Sequence, residues 1–233
     1  MQETICTIPI NDLFSETDGC PICRMKNMLT ERIVDYILGP AMMEPDIRIK
    51  TNSLGFCSEH FEDMMGKRNR LQLSLILESH LAQIHNDVFK KGLFGLNAKK
   101  SMYSASRLSE TCFVCDGVEQ GLNSLLKTLF ITYKNEFDFR ELYRKQDFIC
   151  LPHYRLLLNE GQSALDKKVF AKFFEDTTEL CQTKLESLYE DVHAFTRLFD
   201  YRSNTSEGEQ PSENVKCAIE HTYEFLNAKQ GED

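Results

Sequence analysis

The chain has 233 residues, 42% of them hydrophobic and 27% charged, a composition that excludes fibrous and wholly disordered architectures and is long enough to bury a core. Thirty-six acidic against 27 basic side chains leave a net charge of -9, the opposite of the footprint of a protein that binds phosphate backbones, so nucleic acid is not an expected partner. No apolar run reaches the ~18 to 20 residues a membrane helix needs, and Met1-Gln-Glu-Thr4 lacks a basic leader. The expected location is therefore the cytoplasm, where nine cysteines point to metal or redox chemistry rather than to disulfides.

Taken in chain order, the first element is predicted over 24–38, where apolar residues recur at steps of three and four until Gly39-Pro40 stops the helix. A long helix is predicted over 58–91, with Phe61, Met64, Met65, Leu73, Ile76, Leu77, Ile84 and Val88 inward. Residues 92–110, rich in Gly, Lys and Ser, read as a connector. A third helix is expected over 116–134, and a fourth over 163–200 with Phe170, Phe174, Cys181, Leu185, Leu188, Val192, Phe195 and Phe199 inward. Residues 202–213 read as a flexible linker and 214–233 as a C-terminal helix and tail. The predicted fold is all-α, built from two related halves at 1–91 and 111–201, each organised around a Cys3His metal knuckle.

The duplication is carried by four pairs with two intervening residues: Cys20/Cys23, Cys57/His60, Cys112/Cys115 and Cys150/His153. Between Cys23 and Cys57 lie 33 residues, and between Cys115 and Cys150 lie 34. Shifted by 92, Ile33, Val34, Ile37 and Leu38 fall on Leu125, Leu126, Leu129 and Phe130, and Glu44, Asp46 and Arg48 fall on Glu136, Asp138 and Arg140. A CxxC turn upstream of a Cys-x-x-His that opens a helix is a standard way to gather four ligands around one tetrahedral ion. Taken in sequence order, Cys20, Cys23, Cys57 and His60 form one site, and Cys112, Cys115, Cys150 and His153 the other. Thiolates with one imidazole select zinc, two ions per chain, with an iron–sulfur cluster as the alternative. Four protein ligands leave no position for substrate, so the sites are read as structural.

Other residues carry weaker signals. Arg48 and Arg140 are candidate donors to the thiolates, with plain Glu–Arg helix pairs explaining them equally well. His80 and His85 read as surface or core residues, Met42 and Met43 as a turn that packs against the other half, and Cys181 as a core residue. Cys6 and Cys217 have no assigned role. The chain contains no phosphate-cradling glycine loop, no GxSxG and no HExxH, so no residue signal supports an enzyme.

Asp18-Gly-Cys-Pro-Ile-Cys23, Leu38-Gly-Pro-Ala-Met-Met-Glu-Pro-Asp-Ile-Arg48, Gly55-Phe-Cys-Ser-Glu-His-Phe61 and Phe148-Ile-Cys-Leu-Pro-His-Tyr154 together resemble a family of bacterial proteins, a domain of unknown function, with duplicated CPxC and GFCxxH zinc-binding units. The resemblance extends over most of residues 8–160 and supports the ligand set and the helical fold, while implying no substrate. Phe148-Ile-Cys150 stands where the first unit has Gly55-Phe-Cys57, so the second knuckle is expected to turn differently. The function expected from all this is a non-catalytic, zinc-stabilised cytoplasmic protein that binds another protein or a small ligand in a cleft between its halves. The alternative is a thiol redox or metal-sensing protein acting through one Cys3His site. Thiolates ligated inside a helix-start knuckle should be shielded, which argues against redox activity.

Overall fold

The computed structural model describes residues 10–91, 95–199 and 211–228. Among them it is helical and contains no β-strand. The helices are α1 (Ile10–Ser15), α2 (Pro21–Ile37), a 3₁₀ turn (Pro40–Met43), α3 (Pro45–Leu54), α4 (Ser58–Gly66), α5 (Arg70–Ile84) with a terminal π turn (His85–Phe89), α6 (Ala98–Glu110), α7 (Phe113–Asn135), α8 (Phe137–Arg144), α9 (Leu151–Ala164), α10 (Lys167–Arg197), α11 (Glu213–Lys216) and α12 (Ala218–Asn227). No helix among the described residues is long and apolar enough to cross a membrane.

The duplication survives in the positions of the helix starts. A shift of 92 carries Pro21 and Pro45, which open α2 and α3, onto Phe113 and Phe137, which open α7 and α8. A shift of 93 carries Ser58, which opens α4, onto Leu151, which opens α9. The compact units of the chain are nevertheless drawn across the repeats: one comprises Met1–Met25 and Ser124–Asp233, the other Lys26–Asn123. The dividing points fall inside α2 and α7.

In the first unit the core is aromatic. Phe14 of α1 lies edge-on to Phe139 at 5.0 Å and stacks on Tyr143 at 5.7 Å, while Phe173 of α10 meets Phe130, Tyr133 and Tyr143 at 5.0 to 5.5 Å. Both tyrosine hydroxyls are satisfied inside it. Tyr133 donates to the Asp176 carboxylate at 2.6 Å, and the Tyr143 and Thr177 hydroxyls lie 2.8 Å apart. These polar partners explain a register error in the sequence reading of α10. Its buried face is Phe173, Asp176, Thr177, Leu180, Cys181 and Leu188, whereas Phe174, Leu185 and Phe199 are exposed. Apolar periodicity counts Asp176 and Thr177 as outward, but a buried carboxylate with three donors is stable where an unpaired one is not.

In the second unit α3 packs on α5, with Ser79 donating to the Asn52 side chain at 2.8 Å and Arg48 donating to the Leu75 carbonyl at 2.7 Å. Gly117 and Gly121 of α7 face Ile33 and Leu29 of α2 so closely that a Cβ would sit within 2.9 and 2.8 Å of those side chains. The single helix expected over 58–91 is broken. Helix α4 ends at Gly66, Lys67 is extended, and Asn69 turns its side chain to donate to the Leu38 carbonyl at 3.1 Å. Met65, expected inward, is exposed.

Further differences follow from caps that composition hides. The connector over 92–110 contains α6, whose start is capped by Asn97 accepting from the Lys100 N–H at 3.1 Å. The helix expected over 163–200 begins at Lys167 because Asp166 accepts from the Val169 N–H at 3.1 Å. The C-terminal helix is present as α11 and α12, Met43 is 73% exposed rather than packed, and residues 202–210 of the expected linker, like Cys6, lie outside the described residues.

Candidate metal centres

The eight predicted residues come together in two clusters, but with partners exchanged between the repeats. Cys20 and Cys23 of the first repeat meet Cys150 and His153 of the second, and Cys57 and His60 meet Cys112 and Cys115. This corrects the sequence-order assignment. The first cluster lies within the unit that joins both chain ends, and the second within the unit Lys26–Asn123.

Each pair of residues occupies the same place on a helix. The carbonyls of Cys20, Cys57, Cys112 and Cys150 accept the first helical hydrogen bond from Arg24, Phe61, Asp116 and Tyr154, at 2.8 to 3.2 Å. Every first residue of a pair is therefore an N-cap, and every second residue is the third of the helix, the two positions whose side chains meet over a helix end. Prolines at the helix starts, Pro21 and Pro152, fit this arrangement because their missing N–H groups would lack a helical partner anyway. Two helix N-termini thus converge on each cluster, α2 with α9 and α7 with α4, and their exposed N–H dipoles favour thiolates there.

The ligand atoms of each cluster all lie within 4.8 Å of one another. One ion at ~2.3 Å from sulfur and ~2.0 to 2.1 Å from nitrogen requires edges of about 3.8 Å between sulfurs and about 3.5 Å between sulfur and nitrogen. In the first cluster Cys23 and Cys150 sulfurs are 3.9 Å apart, and His153 Nδ1 is 3.6, 3.4 and 3.1 Å from the sulfurs of Cys20, Cys23 and Cys150. In the second, Cys57 and Cys115 sulfurs are 3.8 Å apart, and His60 Nδ1 is 3.2, 3.5 and 3.3 Å from Cys57, Cys112 and Cys115. Each cluster could hold one metal ion.

Electrostatics point the same way. Burial opposes ionisation of Cys112, but bonds from His60 and from the Cys115 N–H bring it down to about 6, while Cys115 is pushed up to about 12 by burial and by the Cys112 charge. In the first cluster burial likewise opposes ionisation of Cys20, which its bonds to Cys150, Cys23 and His153 nevertheless hold well below the ordinary thiol range. Cys150 is pushed up to about 12, foremost by its bond to Cys20, and Cys23 is raised foremost by its bond to Cys150. Three thiolates this close repel one another, and a cation among them offsets that repulsion.

The knuckles are held by different devices. In the second unit Gly55 adopts φ 65° and ψ -157°, a region open to glycine alone, which presents its carbonyl to the Phe113 N–H at 2.9 Å. Thr111 donates to the Leu54 carbonyl at 2.7 Å, and His80 supports the same turn through Nδ1 at 3.0 Å from the Asn52 carbonyl. In the first unit the glycine with φ 64° is Gly19, on the other knuckle. Pro21, equivalent to Phe113, has no N–H to offer, and the tie is made by side chains instead. Arg24 donates to the carbonyls of Leu13, Glu16, Asp18 and Gly19 and to Gln146 Oε1, and Gln146 Nε2 donates to the Phe14 carbonyl at 2.9 Å. The expected difference between the Gly55 and Phe148 knuckles is thus present. Neither Arg24 nor Gln146 has a counterpart in the other repeat, where Asp116 and Ser53 stand, so the duplication does not point to them.

Arg48 and Arg140 do not reach the sulfurs, contrary to the sequence proposal. Arg48 donates to the Leu75 carbonyl, and Arg140 closes the end of α7 through the Tyr133 and Lys134 carbonyls at 2.8 and 2.9 Å. His80 is a packing residue, as expected, and His85 is exposed. Cys181 is buried, which pushes its thiol up to about 11, and Cys217 is half-buried between α11 and α12.

The clusters differ most in cover. Cys20, Cys23, Cys150 and His153 are between 0 and 4% exposed. Phe225 of α12 packs 6.1 Å from Phe148, and the Ala228 carbonyl lies 3.6 Å from the Cys23 sulfur. Around the second cluster Cys112 is buried, Cys57 and His60 are half-buried and Cys115 is exposed. The shielding expected of both sites is present at one of them.

Comparison with curated proteins and with solved structures finds no match. The family model that does match describes a family of unknown function (DUF6062) and covers residues 1–233, so the chain belongs to that family.

Proposed function

We propose that the chain is a non-catalytic protein held in shape by two zinc ions, one in each Cys3His cluster, and that it serves as a binding module for another protein. The observation that carries the zinc reading is the gathering of three sulfurs and one Nδ1 within 4.8 Å of one another in both clusters. An iron–sulfur cluster would spread its ligands over several irons, farther apart than neighbouring edges of one tetrahedron. Three thiolates and a neutral imidazole around Zn²⁺ leave a net charge of about -1, which the paired helix N-termini offset. With four protein ligands there is no open position for water or substrate, so the ions hold chain segments together rather than activate a reactant.

The binding role is supported by apolar side chains turned outward on regular helices, among them Phe174, Leu185 and Tyr189 on α10, which are 45, 52 and 72% exposed. A reducing cytoplasmic setting suits the unpaired cysteines of both clusters. Elemental analysis of the full chain purified without added metal should give about two zinc per chain. An iron-rich, coloured preparation, or one without metal, would reject the reading.

A further inference from the structure

We propose that Cys57 and Cys115 form an oxidant-sensitive pair that releases the ion of the second cluster while the first cluster keeps its own. This rests on the zinc reading above and adds to it a division of labour between two sites of identical composition. Three observations carry it. Cys115 is exposed and Cys57 half-buried, so a small oxidant reaches this pair, whereas the cysteines of the first cluster are 0 to 3% exposed beneath α12. The Cys57 and Cys115 sulfurs are 3.8 Å apart, close enough for side-chain rotation to bring them to the ~2.05 Å of a disulfide. The third sulfur, Cys112, is buried and accepts the Cys115 N–H at 3.5 Å, which ties it to the helix start.

The oxidant is a peroxide. The Cys115 sulfur attacks the O–O bond, which breaks to leave a sulfenic acid and one water. Cys57 then attacks that sulfur, the S–S bond forms, and the sulfenic oxygen leaves as a second water. Two thiolates supply two electrons, and solvent supplies two protons. The ion, left with Cys112 and His60, has lost half its ligands and dissociates.

The test uses the full chain loaded with zinc, treated with hydrogen peroxide in the presence of a chromogenic zinc chelator and then mapped by peptide mass spectrometry. The expected result is release of about one of two ions, a Cys57–Cys115 disulfide, and recovery of the ion after reduction with a dithiol. Independently, iodoacetamide on the untreated holoprotein should label Cys115 about tenfold or more faster than Cys20, Cys23 or Cys150. Release of both ions together, release of none, a Cys112–Cys115 bond, or equal labelling of the two clusters would each overturn the proposal. A starting protein with no zinc would overturn the zinc reading and this proposal with it, and is recognised before any oxidant is added.

Discussion

The two Cys3His clusters are built from the same four helix-start pairs yet sit in different surroundings. The first is sealed and the second is open on the side of Cys115. The first also joins sequence positions 127 to 133 residues apart, the second 52 to 58. Loop-closure entropy alone favours the longer clasp by only ~0.8 kcal/mol, so the difference between the sites comes from burial, not from loop length. Duplication gave both units the same local chemistry. What distinguishes them is not shared between the repeats: Arg24, Gln146 and α12 on one side, Gly55 and His80 on the other.

Removing one ion at a time should expose this difference most strongly. Structural zinc contributes an apparent ~10–16 kcal/mol in small modules, comparable to the whole stability of a domain. Cys150→Ser and Cys57→Ser should each lower the zinc content by about one equivalent, while calorimetry shows the larger loss of melting temperature for Cys150→Ser, because it leaves buried thiols and a buried imidazole without a cation. Equal melting temperatures would show that cover does not matter.

How much of this was legible in the sequence depends on the range of the interaction. Cys-x-x-Cys and Cys-x-x-His fix which residues share a helix start, because that relation is local, and spacing alone marks the eight candidates. Which starts converge is a tertiary matter. Linkers of 33 and 34 residues permit either pairing, and nothing in Pro21-Ile22 or Phe113-Val114 encodes the partner. The same limit applies to α10, where Asp176 lies inward only because Tyr133, Arg144 and Lys172 come to meet it. Asn97 and Asp166 were local signals that the polar composition around them concealed.

Uncovering the sealed site should move it toward the open one. Phe225→Ala removes a side chain 1% exposed, at a cost of about 3–5 kcal/mol, and should raise the alkylation rate of Cys23 toward that of Cys115 in the same chain. An unchanged rate would mean that α12 is not the cover.

The units should also differ in acid. Burial opposes ionisation of Asp176, but the Tyr133, Arg144 and Lys172 donors outweigh it and hold the carboxyl below its ordinary value. The stabilisation is therefore present above the unfolded-state value and is lost as pH falls through the lower folded one. Asp176→Asn should cost about 1–3 kcal/mol near neutrality and flatten the acid limb of a pH–stability curve. The described residues of the second unit contain no buried carboxylate.

A smaller effect is expected at the turns. Gly55→Ala forces a side chain into a glycine-only region and places its Cβ 3.1 Å from His80 Nε2, for a loss of about 1–3 kcal/mol. Gly19→Ala, at φ 64°, should cost about 1–2 kcal/mol. Denaturant midpoints would order the two, and a smaller loss at Gly55 would contradict its assigned role in the Cys57 knuckle.

The exchange of partners between repeats is tested most directly by counting zinc in two double variants. If Cys20 and Cys23 share an ion with Cys150 and His153, Cys23→Ser with Cys150→Ser damages a single site, and elemental analysis should find about one equivalent remaining. Cys23→Ser with Cys57→Ser damages both sites and should leave about none. The reverse outcome, with zinc retained when Cys23 and Cys57 are replaced together and lost when Cys23 and Cys150 are, would show that each repeat binds its own ion and would contradict the exchanged pairing.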